Sequence, residues 1–380
     1  MTKKRVAVLG ATGSIGKNTL DVIRSGKDTF EPVLFSANSN AALLNAIAAE
    51  FPRAKIAFSG PRKTAEAAGF DKRNGVYLGR DGLLAAIADA GADITLNGIS
   101  GAAGLEPSLA ALNSGSALAL ANKESMVMAG ALVLKTAARH SLPVIPVDSE
   151  HSAIFNLLRR QGREGLKEAL LTASGGPFRT WSKEQLKNAT LKDALAHPTW
   201  KMGAKITIDS ASLANKGLEV IEAARLFDLN ADNIKVVIHP QSIVHSMIRM
   251  NDGVVYAQLS RPDMRLPIHE ALRYPEIAPS LGKEELGFED LCLSFEKPDL
   301  DRFPMLSLAY EALRAGGCYP IAYNAANEYA ADAFFNGKIP FTGISDLCAR
   351  VLSMDWSGEA DDLPSILEAD RRARAAAAEL

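Results

Sequence analysis

The first 147 residues alternate short apolar runs with stretches of helical spacing, and that alternation leaves the chain few folds to adopt. The runs are RVAVL (5–9), VLFS (33–36), KIAF (55–58), VYL (76–78), DITLN (93–97), ALAL (117–120) and PVIPV (143–147). Most show no polar alternation, which is the pattern of strands covered on both faces. Helical spacing fills the gaps, as at 61–69 and 81–90. Strand–helix–strand repetition predicts a doubly wound parallel sheet.

The first run leads into GATGSIG (10–16), which opens a helix reaching about Arg24. Glycines at a strand-to-helix turn allow a pyrophosphate to approach the backbone at a helix N-terminus. The spacing here is Gly10, Gly13, Gly16, with Thr12 and Ser14 adding hydroxyls. The spacing departs from GxGxxG, and the stretch reads as a Rossmann-like nucleotide-binding turn, with a plain strand–turn–helix as the alternative. The second run ends in Asn38-Ser39-Asn40, with no acidic residue to hold a ribose 2′-hydroxyl or repel a 2′-phosphate. NADP is therefore favoured over NAD. The run 117–120 ends in Asn122-Lys123-Glu124. A cation at a helix N-terminus opposes the helix dipole, so Lys123 points to a ligand as well as to an ordinary surface role.

Past the last run stand Asp148 and Glu150, separated by Ser149. An extended segment would put both carboxylates on one side. Two carboxylates about 4 Å apart repel by roughly 4 kcal/mol at an effective dielectric of 20, so a shared proton or a divalent cation is needed. The alternative is a helix N-terminus with acidic caps, because HSAIFNLLRR follows with helical spacing. Further on, KITIDS (205–210) reads as a strand and 211–227 as one helix. On that helix Asn215 and Glu219 share a face, so Glu219 is either a third candidate carboxylate or an ordinary solvated glutamate. Three oxygen donors without cysteine or a histidine pair suit Mg²⁺ or Mn²⁺.

After a helix at about 151–160 and a strand at 169–173, Ser174-Gly175-Gly176 reads either as a plain turn or as an anion cradle. Ser210, Asn215 and Lys216 are phosphate candidates near a helix start. Residues 195–204 (LAHPTWKMGA) have no period but carry Trp200 and Met202, as in a flap over a ligand, the alternative being a loop whose tryptophan docks on a neighbouring element. Strands are read at 236–239 and 254–259, with His239, His245 and His269 as structural histidines. Helices at 304–315, 321–335, 344–354 and 363–378 read as a C-terminal helical bundle. The expected domains are residues 1–148, a central α/β domain at 149–290 with the flap, and 291–380.

At 380 residues, 47% hydrophobic and with net charge −2, the chain gives no sign of a nucleic-acid or anionic-membrane surface. Three scattered cysteines fit a reducing compartment. No run suits a signal peptide or a membrane span, so a cytoplasmic protein is expected.

Ten motifs in order, from GATGSIG through GAAGLEPSLAAL, LANKES, PVDSEH, SGGPFR, HPTWKMG, DSASLANKGLE, IHPQSIVHSM and PDMRLPI to NAANE (324–328), closely resemble the 1-deoxy-D-xylulose 5-phosphate reductoisomerase family. The resemblance implies that Asp148, Glu150 and Glu219 bind Mn²⁺ or Mg²⁺. It implies that Lys123, Ser149 and Glu150 meet the oxygen-bearing carbons of a sugar phosphate. Ser174, His197, Ser210, Asn215 and Lys216 would hold its phosphate end, under a flap with Trp200 and Met202. NADPH would be met by Thr12, Gly13, Ser14, Ile15, Asn38, Ser39, Asn40, Asn122, Glu124 and Gly203. The implied reaction is a retro-aldol and re-aldol rearrangement followed by hydride transfer from NADPH, in a homodimer. Two rivals fit less well. A semialdehyde dehydrogenase needs a mid-chain cysteine nucleophile, and the cysteines lie at 292 and beyond. A non-enzymatic NADP sensor predicts a broken carboxylate set, which this chain does not have.

Overall fold

The computed structural model describes residues 2–72, 75–281 and 285–380. It divides into two compact units. The first comprises Met1–Ser125, Val133–Ser152 and Asp263–Lys283, and the second Met126–Leu132, Ala153–Pro262 and Glu284–Leu380.

The first unit holds a seven-stranded sheet. Its strands are β1 (Lys4–Leu9), β2 (Phe30–Ala37), β3 (Lys55–Phe58), β4 (Val76–Leu78), β5 (Ile94–Asn97), β6 (Ala117–Leu120) and β7 (Val144–Pro146). They lie in the order β4-β3-β2-β1-β5-β6-β7, and every neighbouring pair is parallel. The alternation of runs and helices is thus realised as read. β1 is central, with Val6, Ala7, Val8 and Leu9 fully buried. The winding reverses between β1 and β5, the switch point where open α/β sheets leave a crevice for a ligand.

Two glycine turns meet there. Gly10 has φ +76° and follows β1; a Cβ on it would lie 2.8 Å from the carbonyl oxygen of Gly98, which follows β5. Gly16 sits so close to the turn that a Cβ would fall 2.4 Å from Ala11 Cα. Only glycine permits both approaches.

The second unit has a four-stranded sheet in the order β11-β10-β8-β9, formed by β8 (Leu166–Ala173), β9 (Ile234–Ile238), β10 (Val244–Met250) and β11 (Val255–Leu259). β8 and β9 are parallel, and the other pairs antiparallel. β10 escapes the sequence reading because His245, Ser246 and Arg249 interrupt its apolar pattern; sheet neighbours on both sides bury the first two. Helix Tyr319–Phe335 packs against Met305–Ala315, Gly343–Leu352 and Leu363–Glu379, a helical assembly as expected. No described helix is long and apolar enough to cross a membrane.

Two local expectations are corrected. Residues 205–210 are not a strand but lie in the helix Ala204–Ala211. Ile206, Thr207 and Ile208 imitate a strand pattern, yet Thr207 Oγ1 donates to Gly203 O at 2.8 Å, one helical turn back. Ile208 and Asp209 are buried in the helical form, so packing overrides β-propensity. The helix read at 211–227 is in fact broken. Leu213 adopts φ +60° and a second helix, Ala214–Leu226, begins after it. A left-handed leucine costs about 1–2 kcal/mol, a cost that surrounding contacts must offset.

Candidate active-site residues

All strands of the seven-stranded sheet run the same way, so their carboxyl ends share one edge. Along it, in spatial order β2-β1-β5-β6-β7, stand Asn38–Asn40, GATGSIG, Asn97-Gly98, Asn122–Glu124 and Asp148–Glu150. The predicted cofactor residues other than Gly203, and two of the three predicted metal ligands, therefore follow strands of this one sheet.

Helix Ser14–Ser25 follows the glycine turn with Gly13 as its cap, a residue with no side chain to bond the first-turn N–H groups. Gly13 and Ser14 are exposed, and Thr12 and Ile15 partly so. Such a helix start fits a dinucleotide pyrophosphate. Asn38 and Ser39 are exposed, and Asn38 Nδ2 donates to Ser59 Oγ at 3.3 Å. Asn40 Oδ1 accepts from Leu43 N at 2.9 Å, so Asn40 caps the next helix.

Asn122 is buried and heavily committed. Its Nδ2 donates to Ile99 O at 2.7 Å, Gly101 O at 2.9 Å and Glu124 Oε2 at 2.9 Å. Its Oδ1 accepts from Ser125 N at 3.0 Å, capping helix Lys123–Arg139. One amide thus ties the NGISGAAG turn to the end of β6 and orients the buried Glu124.

Lys123 opens that helix. Its Nζ lies 2.6 Å from Asp148 Oδ2, with both side chains largely buried. This explains a cation at a helix N-terminus: its charge is met by a carboxylate from the next strand end, not by the dipole.

Of the two arrangements left open for Asp148 and Glu150, extended segment or helix N-terminus, the chain adopts the second. Helix Ser149–Gln161 starts between them, and Glu150 lies in its first turn. Asp148 Oδ1 accepts from Glu150 N at 3.2 Å in the manner of a helix cap. The capping and ligand readings are therefore compatible: one oxygen faces the helix and the other faces Lys123. Ser149 Oγ donates to Glu150 Oε2. The oxygen donors of this group suit a hard divalent cation.

Sequence reasoning missed His151, which is fully buried with Nδ1 3.2 Å from Asp148 Oδ1. The signal was its spacing three residues beyond Asp148, one helical turn on. Ser152 was also missed; its Oγ reaches Glu270 Oε2 at 3.3 Å, a long-range contact that nothing local announces.

In the second unit, Ser174 follows β8 and opens a glycine turn with φ +85° at Gly175 and +67° at Gly176. His197 Nδ1 accepts the backbone N–H groups of Thr199 at 3.1 Å and Trp200 at 2.9 Å. A nitrogen that accepts two N–H bonds carries no proton, so Nε2–H donates to Ser174 Oγ at 3.0 Å. Burial holds the imidazole below its ordinary pKa, in keeping with the neutral form. Ser174 Oγ also accepts from Gly176 N at 3.2 Å, which leaves its own O–H to donate. Trp200, Met202 and Gly203 lie in the irregular segment before helix Ala204–Ala211, as the sequence indicates.

Glu219 is buried on helix Ala214–Leu226 and shares a face with Asn215, as helical spacing requires. Asn215 Nδ2 donates to Glu219 Oε1 at 2.5 Å. Lys216 Nζ forms a buried ion pair with Glu219 Oε2. Ser210 is partly exposed near the end of the preceding helix. His239, His245 and His269 are buried; His239 Nδ1 bonds Ser294 O at 2.9 Å and His245 Nε2 bonds Ser260 Oγ at 2.7 Å.

A doubly wound sheet with a glycine turn at its switch point, and charged groups along the same edge, is the architecture of a nucleotide-binding protein. The particular family follows from comparison with known proteins. Residues 6–130 match the family model for 1-deoxy-D-xylulose 5-phosphate reductoisomerase. Residues 144–227 and 259–376 match models of C-terminal domains of the same enzyme. The 1-deoxy-D-xylulose 5-phosphate reductoisomerase of Treponema denticola is 45% identical over 378 residues, 99% of this chain and 97% of the relative. That of Chlorobium chlorochromatii is 47% identical over 375 residues, 98% of each. A crystal structure of DOX-P reductoisomerase in complex with NADPH, fosmidomycin and magnesium superposes with a TM-score of 0.90 at 41% identity. It covers 99% of this chain and 98% of that one. The chain belongs to the 1-deoxy-D-xylulose 5-phosphate reductoisomerase family.

Proposed function

We propose that this protein converts 1-deoxy-D-xylulose 5-phosphate to 2-C-methyl-D-erythritol 4-phosphate, with NADPH and Mn²⁺ or Mg²⁺, in isoprenoid precursor synthesis. The observation that carries the reading is the shared sheet edge. There the glycine turn follows β1, while Asn122–Glu124 and the Lys123–Asp148 pair follow the adjacent strands β6 and β7, with β5 between β1 and β6. Asp148, Glu150 and Glu219 hold the cation, and their all-oxygen donor set fits a hard metal. Thr12, Gly13, Ser14 and Ile15 receive the pyrophosphate of NADPH at the glycine-capped helix start. Asn38, Ser39 and Asn40 lie on its 2′-phosphate side, with Asn122, Glu124 and Gly203 completing the contacts. When bound, the cation polarises vicinal oxygens of the substrate and NADPH supplies the hydride.

The chain's own side chains do the rest. Lys123 compensates and orients the Asp148 carboxylate before substrate arrives, then with Ser149 and Glu150 meets the substrate's oxygens. Ser174, with a proton free to donate, and neutral His197 receive the phosphate end together with Ser210, Asn215 and Lys216. Binding energy from that remote group orients the reacting carbons. Trp200 and Met202 close over the site and exclude water. In this reading the enzyme is a cytoplasmic homodimer.

The test is NADPH oxidation with 1-deoxy-D-xylulose 5-phosphate, with Mn²⁺ or with excess EDTA. Turnover that needs the metal is the expected result. Oxidation indifferent to EDTA would remove the carboxylates from the mechanism. Absence of turnover in protein that binds NADPH would favour a sensor.

A further inference from the structure

The NAANE motif is one sequence feature that the reaction does not use. Its helix, Tyr319–Phe335, meets the broken segment that carries Ser210, Asn215, Lys216 and Glu219. The break at Leu213 separates Ser210 from the other three, so their mutual placement depends on how the two short helices are held at a left-handed residue.

Tyr323 and Asn327 stand four residues apart and therefore share a helical face. Asn327 holds the helix before the break, with Nδ2 3.0 Å from Asp209 Oδ1. Asp209 is buried and is met on its other oxygen by Lys205 Nζ at 2.7 Å. Asn327 turns its amide nitrogen to the carboxylate because its carbonyl would be repelled there. Tyr323 holds the helix after the break. Its hydroxyl lies 3.4 Å from Ala214 O and 3.1 Å from Met305 O. Its ring seats against Gly217, where a Cβ would fall 2.3 Å from the phenolic oxygen. One face of one helix thus grips both sides of the strained residue. The Oδ1 of Asn327 is buried without a hydrogen-bond partner among the described residues. The amide is therefore satisfied only through the bond to Asp209, which a residue present for packing alone would not need.

We propose that Asn327 is a positioning residue for the phosphate end of the site. Through Asp209 it sets helix Ala204–Ala211 against helix Ala214–Leu226, so that Ser210 is presented together with Asn215 and Lys216. The inference rests on the reading of those three residues as phosphate contacts.

Steady-state kinetics of the full-length enzyme with NADPH, Mg²⁺ and 1-deoxy-D-xylulose 5-phosphate test it, with Lys216→Gln as the reference variant. Asn327→Ala is expected to raise KM for the sugar phosphate about tenfold, the loss of one hydrogen bond to a charged group. The affinity for NADPH, read by fluorescence, should stay unchanged. The exchange Asp209→Asn with Asn327→Asp rebuilds the bond in the opposite sense and should recover most of the KM. Should Asn327→Ala not fold, Lys205→Gln loosens the same carboxylate from a partly exposed position and should raise KM in the same direction. A lowered melting temperature with unchanged KM in the folded variant, or no recovery by the exchange, overturns the proposal. If Lys216→Gln raises KM while Asn327→Ala does not, the phosphate reading stands and the positioning role falls. If Lys216→Gln leaves KM unchanged, the phosphate reading itself fails and takes the proposal with it.

Discussion

The two units each bury a lysine against a carboxylate of the proposed metal set, and they arrive at it by opposite routes. Lys216 and Glu219 sit one helical turn apart and would meet in any helix built from those residues. Lys123 and Asp148 are 25 residues apart and meet because β6 and β7 are parallel neighbours whose ends share an edge. The first pair is local chemistry and the second is topology. Both place an ammonium against a carboxylate away from water, where the pair is costly to leave half-made.

The largest effect that would break this comparison comes from neutralising either carboxylate. Asp148→Asn leaves Lys123 buried beside an amide and is expected to lower stability by about 3 kcal/mol, measured by urea denaturation. It should also abolish metal-dependent turnover. Glu219→Gln should reduce turnover at least ~10²-fold while NADPH still binds. A glutamine must turn its NH₂ toward Asn215 or Lys216, so only the carboxylate accepts from both. If Glu219→Gln turned over normally, the local pair would be structural and only the topological pair would belong to the chemistry.

A smaller effect concerns protonation. The unfolded chain binds a proton at His197 near pH 6.5, whereas burial holds the folded imidazole below that value. Between the two, the unfolded state binds more protons, so stability contributed here is lost as the pH falls through and below about 6.5. Protonation at Nδ1 would also remove the acceptor of the Thr199 and Trp200 N–H groups. The variant His197→Gln should flatten the fall in melting temperature between neutral and acid pH. Burial of His269 acts in the same direction and leaves a residual slope. An unchanged slope in His197→Gln would show that His197 is as easily protonated folded as unfolded.

The smallest effect is expected at an exposed pair. Arg24 donates to Glu50 at 2.7 Å on the surface of the first unit. Arg24→Ala should change stability by less than about 1 kcal/mol in denaturant unfolding and leave KM and kcat alone. A larger loss would mean that exposure is a poor guide to which ion pairs matter in this protein.

How much could be read in advance follows the same division. The parallel sheet was legible because strands buried on both faces are written as continuous apolar runs, with glycine at the turn that needs φ +76°. The Asn215–Glu219 contact was legible because helical spacing brings those residues together. The alternating Ile206-Thr207-Ile208 misled, since a β-branched pattern says nothing about the neighbours that bury it as helix. The break at Leu213 carries no glycine or asparagine to announce it.

By itself, then, the sequence determined periodicity, turn chemistry and the inventory of oxygen donors, all properties of residues within a turn or two of one another. Only the tertiary structure decided that Lys123 meets Asp148, that Ser152 reaches Glu270 and that Asn327 reaches Asp209 across 118 residues. The physical reason is that such contacts depend on which strand ends share an edge and which helix faces pack. Those choices are made by burying apolar surface across the whole domain, a force without direction and without a local code.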